Sequence, residues 1–240
     1  MYALIYGSLI IIVPGLIFAI YAQYKVKSTF DKFSKEETEA RVTSDQVAYR
    51  LLSQNNCHSV MVSRTPGHLT DNYNPTTHVL SLSDSTYGKS NVSAVGVAAH
   101  ECGHAQQHCE DSRLIELRTA LVPITNYGSR MAVPIAIVGL ILEILIGGIG
   151  ANLGTYILAL GVILYSLSTI FALITIPVEV DASRRAVAML KNTGLYTKED
   201  LDGIKKVLYA AALTYVASLV ISFLYLLRFI IVLSKFRDRD

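Results

Sequence analysis

The sequence predicts a mainly α membrane protein: about four transmembrane helices with a small α+β domain between them. Three observations carry this. The 240 residues are 52% hydrophobic and only 17% charged, and the mean hydropathy is +0.41. Such a balance is rare among soluble chains of this length. Four apolar runs, Tyr2 to Ala22, Met131 to Ile149, Gly154 to Ile176 and Leu208 to Leu233, approach or exceed the ~20 residues that cross a bilayer as a helix. Between the first two lies a polar stretch whose periodicity changes along its length.

The first run opens an N-terminal anchor, residues 1–24. It lacks a basic leader and a small-x-small cleavage site, so an uncleaved helix is expected. Lys25, Lys27, Lys32 and Lys35 follow it, which places the next loop in the cytoplasm. Pro14 is expected to kink this helix. Residues 25–128 then form the mixed domain. Glu36 to Gln54 reads as a helix with Val47, Ala48, Leu51 and Leu52 on one face, and Thr43 with Gln46 suggests a capping box. Ser59 to Ser63 is a short β-like run, and Pro66-Gly67 is a turn signal. Thr77 to Leu82 alternates as a second strand, either internal or an edge open to an extended peptide. Ser90 to Cys109 reads as a helix rich in small residues. Leu114, Leu117 and Leu121, beside Arg113 and Arg118, suggest a helix lying at the membrane surface.

Residues 129–177 are expected to form a transmembrane hairpin. Its two helices are joined only by Gly150 to Leu153, with Gly147, Gly148 and Gly150 marking the turn. Glu143 inside the second run is either a functional carboxyl or one near enough to the helix end to reach water. The hairpin returns residues 178–206 to the side that holds the Ser90–Cys109 helix. Pro177 is expected to open a new helix there. Residues 207–240 form the last transmembrane helix, with Arg228 inside it, and a tail.

The net charge of +2 and the lack of a basic run with interleaved aromatics argue against nucleic acid as a partner. Of 21 Lys and Arg, seventeen lie in 25–130 and 184–206 and three in the tail. This asymmetry predicts a multi-pass protein with a cytoplasmic domain face. Cys57, Cys102 and Cys109 show no framework spacing, so no disulfide scaffold is expected, as suits a reducing compartment.

His100-Glu101-Cys102-Gly103-His104 is the motif that carries chemistry. Residues i and i+4 share a helix face, so both imidazoles can reach one ion. Glu101 lies about 100° round the helix from His100. There it can touch a water on the metal without being a ligand, take its proton during attack on a peptide carbonyl, and pass it to the leaving amine. Six His and nine Glu in this length give about 0.006 such matches by chance. A catalytic zinc needs a third protein ligand. The compact extension of the motif fails, because Gln107 and Glu110 stand where Gly and His belong. Glu179, just after Pro177, is the leading candidate. Asp202, in Leu201-Asp202-Gly203, is a rival. Asp181 is read as a partner of a ligand histidine or as a helix-start acid. His108, Tyr73, His78, Arg184 and Arg185 are candidates on the substrate side.

The runs Leu69–Pro75, Ala94–His108, Leu117–Asn126, Pro177–Ala186 and Leu208–Ala217 resemble the YugP-like family of neutral zinc metallopeptidases, bacterial membrane proteins distantly similar to HtpX-type gluzincins. The resemblance implies a zincin-like catalytic region, one Zn2+ ion and a place in the bacterial cell membrane. It also implies a third ligand Glu on a later helix, which maps onto Glu179. Two departures stand out. Asn72 and Asn74 replace a His and an Asp, and Ser183 stands where the HtpX-type pattern has an Asp. The expected function is a membrane-embedded zinc endopeptidase acting on peptides or membrane proteins, with an oligomer or a regulatory membrane partner left open. The alternatives are a catalytically silent zinc-binding scaffold or chaperone, and a transporter using Glu143 and Arg228.

Overall fold

The computed structural model describes residues 8–146 and 152–237. The first residues of the N-terminal run, the glycine turn at Gly147, Gly148 and Gly150, and Arg239 of the tail lie outside the described residues. The chain is a mainly α protein with one small sheet. After a 3-10 turn at Ser8–Ile12, its elements are α1 (Val13–Phe33), α2 (Ser44–Gln54), β1 (Met61–Thr65), β2 (Asn72–Asn74), β3 (Val79–Ser83), α3 (Val92–Cys109), α4 (Arg113–Ile146), α5 (Leu153–Asn192) and α6 (Lys198–Arg237). Among the described residues, α1, α4, α5 and α6 are long and apolar enough to cross a membrane. Pro14 is the second residue of α1, where a helix loses nothing by lacking an N–H.

Two compact units result. One comprises Met1–Tyr21, Arg118–Thr175 and Tyr215–Asp240. Its small core holds Ala136, Leu158 and Val232, and many large apolar side chains, such as Leu145 and Ile163, face outward. Glycines let its helices touch backbone to backbone. A Cβ on Gly154 would meet the backbone of Glu143, and one on Gly161 would lie 2.9 Å from the Ala136 backbone nitrogen. The Glu143 carboxylate accepts the Thr155 N–H at 2.8 Å. It thus satisfies one of the free donors in the first turn of α5, which accounts for an acid inside an apolar run.

The other unit comprises Ala22–Leu117 and Ile176–Thr214. Its sheet has the order β1-β3-β2, with β1 parallel to β3 and β2 antiparallel to it. β3 is therefore internal, paired on both sides, and an extended peptide cannot add to it. β2 is too short and polar to announce itself in sequence. Leu80 and Leu82 of β3 turn into the core beside Val47, Ala48, Leu51 and Leu52 of α2. α2 begins at Ser44, later than its periodicity suggests. Thr43 caps it without a side-chain bond, and Ser44 instead donates to the Thr86 carbonyl at 2.6 Å. Gly67, at φ +115°, makes the turn after β1, and the Asp84 carboxylate accepts its N–H at 3.0 Å. α3 runs through the middle of the unit. Asn91 caps it by accepting the Ala94 N–H at 2.9 Å, and its residues pack against Ala186, Met189 and Leu190 of α5 and Ile204, Val207 and Leu208 of α6.

Three sequence expectations need correction. Pro177 does not open a helix: α5 runs unbroken from Leu153 to Asn192. The lost donor and the ring clash cost about 3 kcal/mol, which the full burial of Val178, Ala182 and Ala186 directly after Pro177 offsets. Residues 178–206 are therefore the end of α5, a turn and the start of α6. The surface helix expected around Leu114–Leu121 is likewise continuous with the second apolar run in α4, despite Pro123 and Pro134. Finally, Cys57 and Cys109 are joined as a disulfide, with 5.9 Å between their Cα atoms, and buried Cys102 alone is free. The fold brings the turn after α2 against the last turn of α3, which no sequence spacing reveals.

Candidate metal centre

The site is assembled where α3 crosses α5. Gly103 makes the crossing close: a Cβ there would strike the carbonyl oxygen of Ala182 and lie 3.0 Å from its carbonyl carbon. Ala182 is three residues beyond Glu179, so this contact sets Glu179 opposite the histidines. The rings of His100 and His104 stand 4.8 Å apart at 81°. Their Nε2 atoms lie 3.2 and 3.3 Å from one oxygen of Glu179. Among the described residues, these three are the group whose ligand atoms converge, all within 4.8 Å of one another. The Glu179 side chain is 2% exposed. Two imidazole nitrogens and one carboxylate oxygen turned to one buried point are a donor set for a divalent transition metal, and suit zinc.

The outward ring nitrogens are also engaged. His100 Nδ1 is 3.2 Å from Ser183 Oγ, one turn beyond Glu179, so a hydroxyl meets the ring at this position. His104 Nδ1 meets Gln107 Oε1 at 3.1 Å. The Gln107 amide nitrogen donates to the Val178 carbonyl at 2.9 Å and to Asp181 Oδ2 at 2.8 Å. Both of those partners only accept, so the amide can face only one way, with its oxygen toward His104. His104 Nδ1 must then carry the hydrogen, and the Nε2 lone pair is left pointing at Glu179. Gln107 was missed in the sequence, where it was read only as a failed Gly. The available signal was its place three residues after His104, on the same helix face. Asp181 touches no histidine directly. It acts through Gln107 and is held by Arg185 Nε at 2.6 Å.

Glu101 is buried at 8% exposure. Burial pushes its carboxyl up to about 7, against the opposing pull of His100, while Glu179 and Asp71 add to the rise and the Tyr73 backbone N–H opposes it. Burial also raises the free Cys102 thiol, which is inert packing rather than a nucleophile.

The remaining candidates fall into two groups. Tyr73 and His108 are paired, with the Tyr73 hydroxyl 2.9 Å from His108 Nδ1, and His78 stacks edge-on against His108 at 5.2 Å. Burial raises the Tyr73 phenol. Arg185 is tied to Asp181 and Glu110, which leaves it poorly placed to meet a substrate. Asp202 is exposed and pairs with Lys205 at 2.9 Å, and it is not in the converging group. Asn72 donates to the Thr70 carbonyl, and Asn74 accepts from the N–H groups of Thr76 and Thr77, so both serve turns.

Comparison with known proteins agrees with this chemistry. The pattern of a family described as "Putative neutral zinc metallopeptidase" matches residues 8–234. The chain is 39% identical over 228 residues to a Bacillus subtilis (strain 168) protein named "Putative membrane protease YugP", covering 95% of this chain and 97% of that protein. No solved structure matches it.

Proposed function

The chain belongs to the neutral zinc metallopeptidase family, and we propose on that premise that it is a membrane-embedded endopeptidase in which His100, His104 and Glu179 hold the zinc and Glu101 is the general base. The observation that carries this is the convergence of both Nε2 atoms on one buried Glu179 oxygen, at 3.2 and 3.3 Å. A zinc ion held there supplies Lewis acidity, polarising the scissile carbonyl and easing deprotonation of water. Glu101 takes a proton from the attacking water and returns it to the leaving amine. Burial, which raises the Glu101 carboxyl, favours its protonated form and so helps it take up the proton before returning it. Ser183 and Gln107 fix the ring orientations, so that each imidazole offers its inward nitrogen without reorganisation. The Tyr73–His108 pair supplies hydrogen-bond donors on the substrate side. The substrates are peptides or membrane proteins. The seventeen cationic residues in 25–130 and 184–206 support a cytoplasmic catalytic face, whereas the Cys57–Cys109 disulfide in the same unit points toward an oxidising compartment. A protease added to intact cells should reach residues 25–117 only after permeabilisation.

The test is metal content of the purified protein beside His100→Ala, Glu179→Ala and Glu101→Gln, with a casein-type cleavage assay. Wild type should hold one zinc and cleave. Glu101→Gln should hold zinc and not cleave, and the ligand variants should lose both. Bound zinc in a wild type that cleaves nothing would return the scaffold reading.

A further inference from the structure

We propose that α1 and α6 together build a binding site for one anionic phospholipid. The first observation is a basic cleft of about 670 Å³ between the C-terminal half of α1 and the start of α6. Lys25, Ser28, Thr29 and Lys32 recur at i, i+3, i+4 and i+7, which places them on one helix face. Lys205 and Lys206 face them from α6. The ammonium groups of Lys32 and Lys206 lie 5.0 and 6.0 Å from the centre of the same ring, Phe33. Lys205 has Asp202 as a partner. Among the described residues, no carboxylate lines the cleft or pairs with Lys25, Lys32 or Lys206. Gathering four cations beside one carboxylate, Asp202, which acts on both Lys205 and Lys206, leaves an excess of positive charge that a negative ligand would offset. The hydroxyls of Ser28 and Thr29 add donors of the kind that phosphate oxygens accept.

The second observation decides what kind of anion it is. A second groove of about 370 Å³ adjoins the cleft, and the two share Lys205 and Tyr209. Its further lining is Val180, Val187, Leu208 and Ala212, together with Ser183 and Arg184. A small phosphate would use the cleft and leave this groove open. A phospholipid uses both, with its phosphate among the lysines and an acyl chain along the groove. Exposed Tyr24 and Tyr209, at 70% and 67%, flank the lysines, and aromatics of that kind sit at headgroup depth. α1 and α6 are both long and apolar enough to cross the membrane whose lipid they would hold.

The experiment uses the full chain in a neutral detergent, with native mass spectrometry after addition of phosphatidylglycerol or phosphatidylcholine of equal chain length. Phosphatidylglycerol should bind one per chain and more than about thirtyfold more tightly. Each juxtamembrane lysine adds about 1 kcal/mol toward anionic lipid, so Lys32→Gln/Lys206→Gln should weaken phosphatidylglycerol about thirtyfold and leave phosphatidylcholine unchanged. Zinc content of that variant should equal wild type, which reports that it has folded. Ala212→Trp, filling the groove, should weaken the lipid without affecting glycerol phosphate. Equal binding of the two lipids would overturn the proposal. So would full displacement by glycerol phosphate at the same concentration, which would show a small phosphate site.

Discussion

Replacing Gly103 with alanine tests whether the approach of two helices makes the metal site. The added methyl would sit against the Ala182 carbonyl oxygen, 3.0 Å from its carbon and 3.1 Å from its Cα. Ordinary carbon–oxygen contacts begin near ~3.3 Å, and the obstacle is backbone, so no rotamer can relieve it. α3 and α5 must move apart by roughly 1 Å, while a metal site tolerates about 0.2 Å in its ligand distances. Glu179 lies within one turn of the clash and His100 and His104 flank it, so the whole displacement falls on the site. Overpacking of this kind costs about 1–3 kcal/mol of stability, which the fold can survive. The loss of zinc should be far larger, more than about a hundredfold in affinity, because one ligand of three is withdrawn. Competition with a fluorescent chelator measures that affinity, and circular dichroism checks that helix content is kept. A folded Gly103→Ala that binds zinc as tightly as wild type would refute the reasoning.

Gln107→Leu, at a position that is 1% exposed, leaves His104 Nδ1 without a partner and takes one bond each from the Val178 carbonyl and Asp181. Zinc affinity should fall by about 10–100-fold, and the imidazole nitrogen NMR shifts of the metal-free protein should show His104 as a mixture of tautomers where wild type shows one. The Glu101 carboxyl is raised in the fold to about 7 from 4.5. The unfolded chain therefore binds fewer protons between those values, and this group lowers stability as pH rises through that window. Metal-free Glu101→Gln should accordingly be more stable than metal-free wild type at pH 8, by a few kcal/mol at most, and melt at a higher temperature, with the advantage almost gone by pH 5. Cys57→Ser opens a loop of 52 residues, for which the chain-entropy account gives a loss of about 4 kcal/mol. The melting temperature should fall while zinc content is kept, since the core around His100 and His104 does not depend on that link.

The fold class and the helix bearing His100 and His104 were open to sequence because they rest on local patterns: four apolar runs, and two histidines one turn apart. Glu179 could be singled out because the apolar runs on either side of Gly150 are separated by only a few residues, which predicts that the chain turns back. The reason given for its local helix was mistaken, since a proline rule that looks at one residue ignores the buried face of Val178, Ala182 and Ala186 that carries α5 onward. What stayed hidden was long-range. The link between Cys57 and Cys109, the three-residue strand at Asn72–Asn74, and the amide of Gln107 joining His104 to the turn that bears Glu179 all depend on which segments the core brings together. Ser183 was visible only as a departure from a pattern, and its place beside His100 Nδ1 gives that departure a physical meaning.

X-ray absorption at the zinc edge is the most direct measurement of the proposed centre. Wild type should show two imidazole nitrogens and carboxylate oxygen around the metal, and Glu179→Gln should alter that shell or empty the site. A spectrum of zinc-loaded Glu179→Gln identical to wild type, at unchanged affinity, would mean that the carboxylate of α5 is not a ligand, and the account would fail.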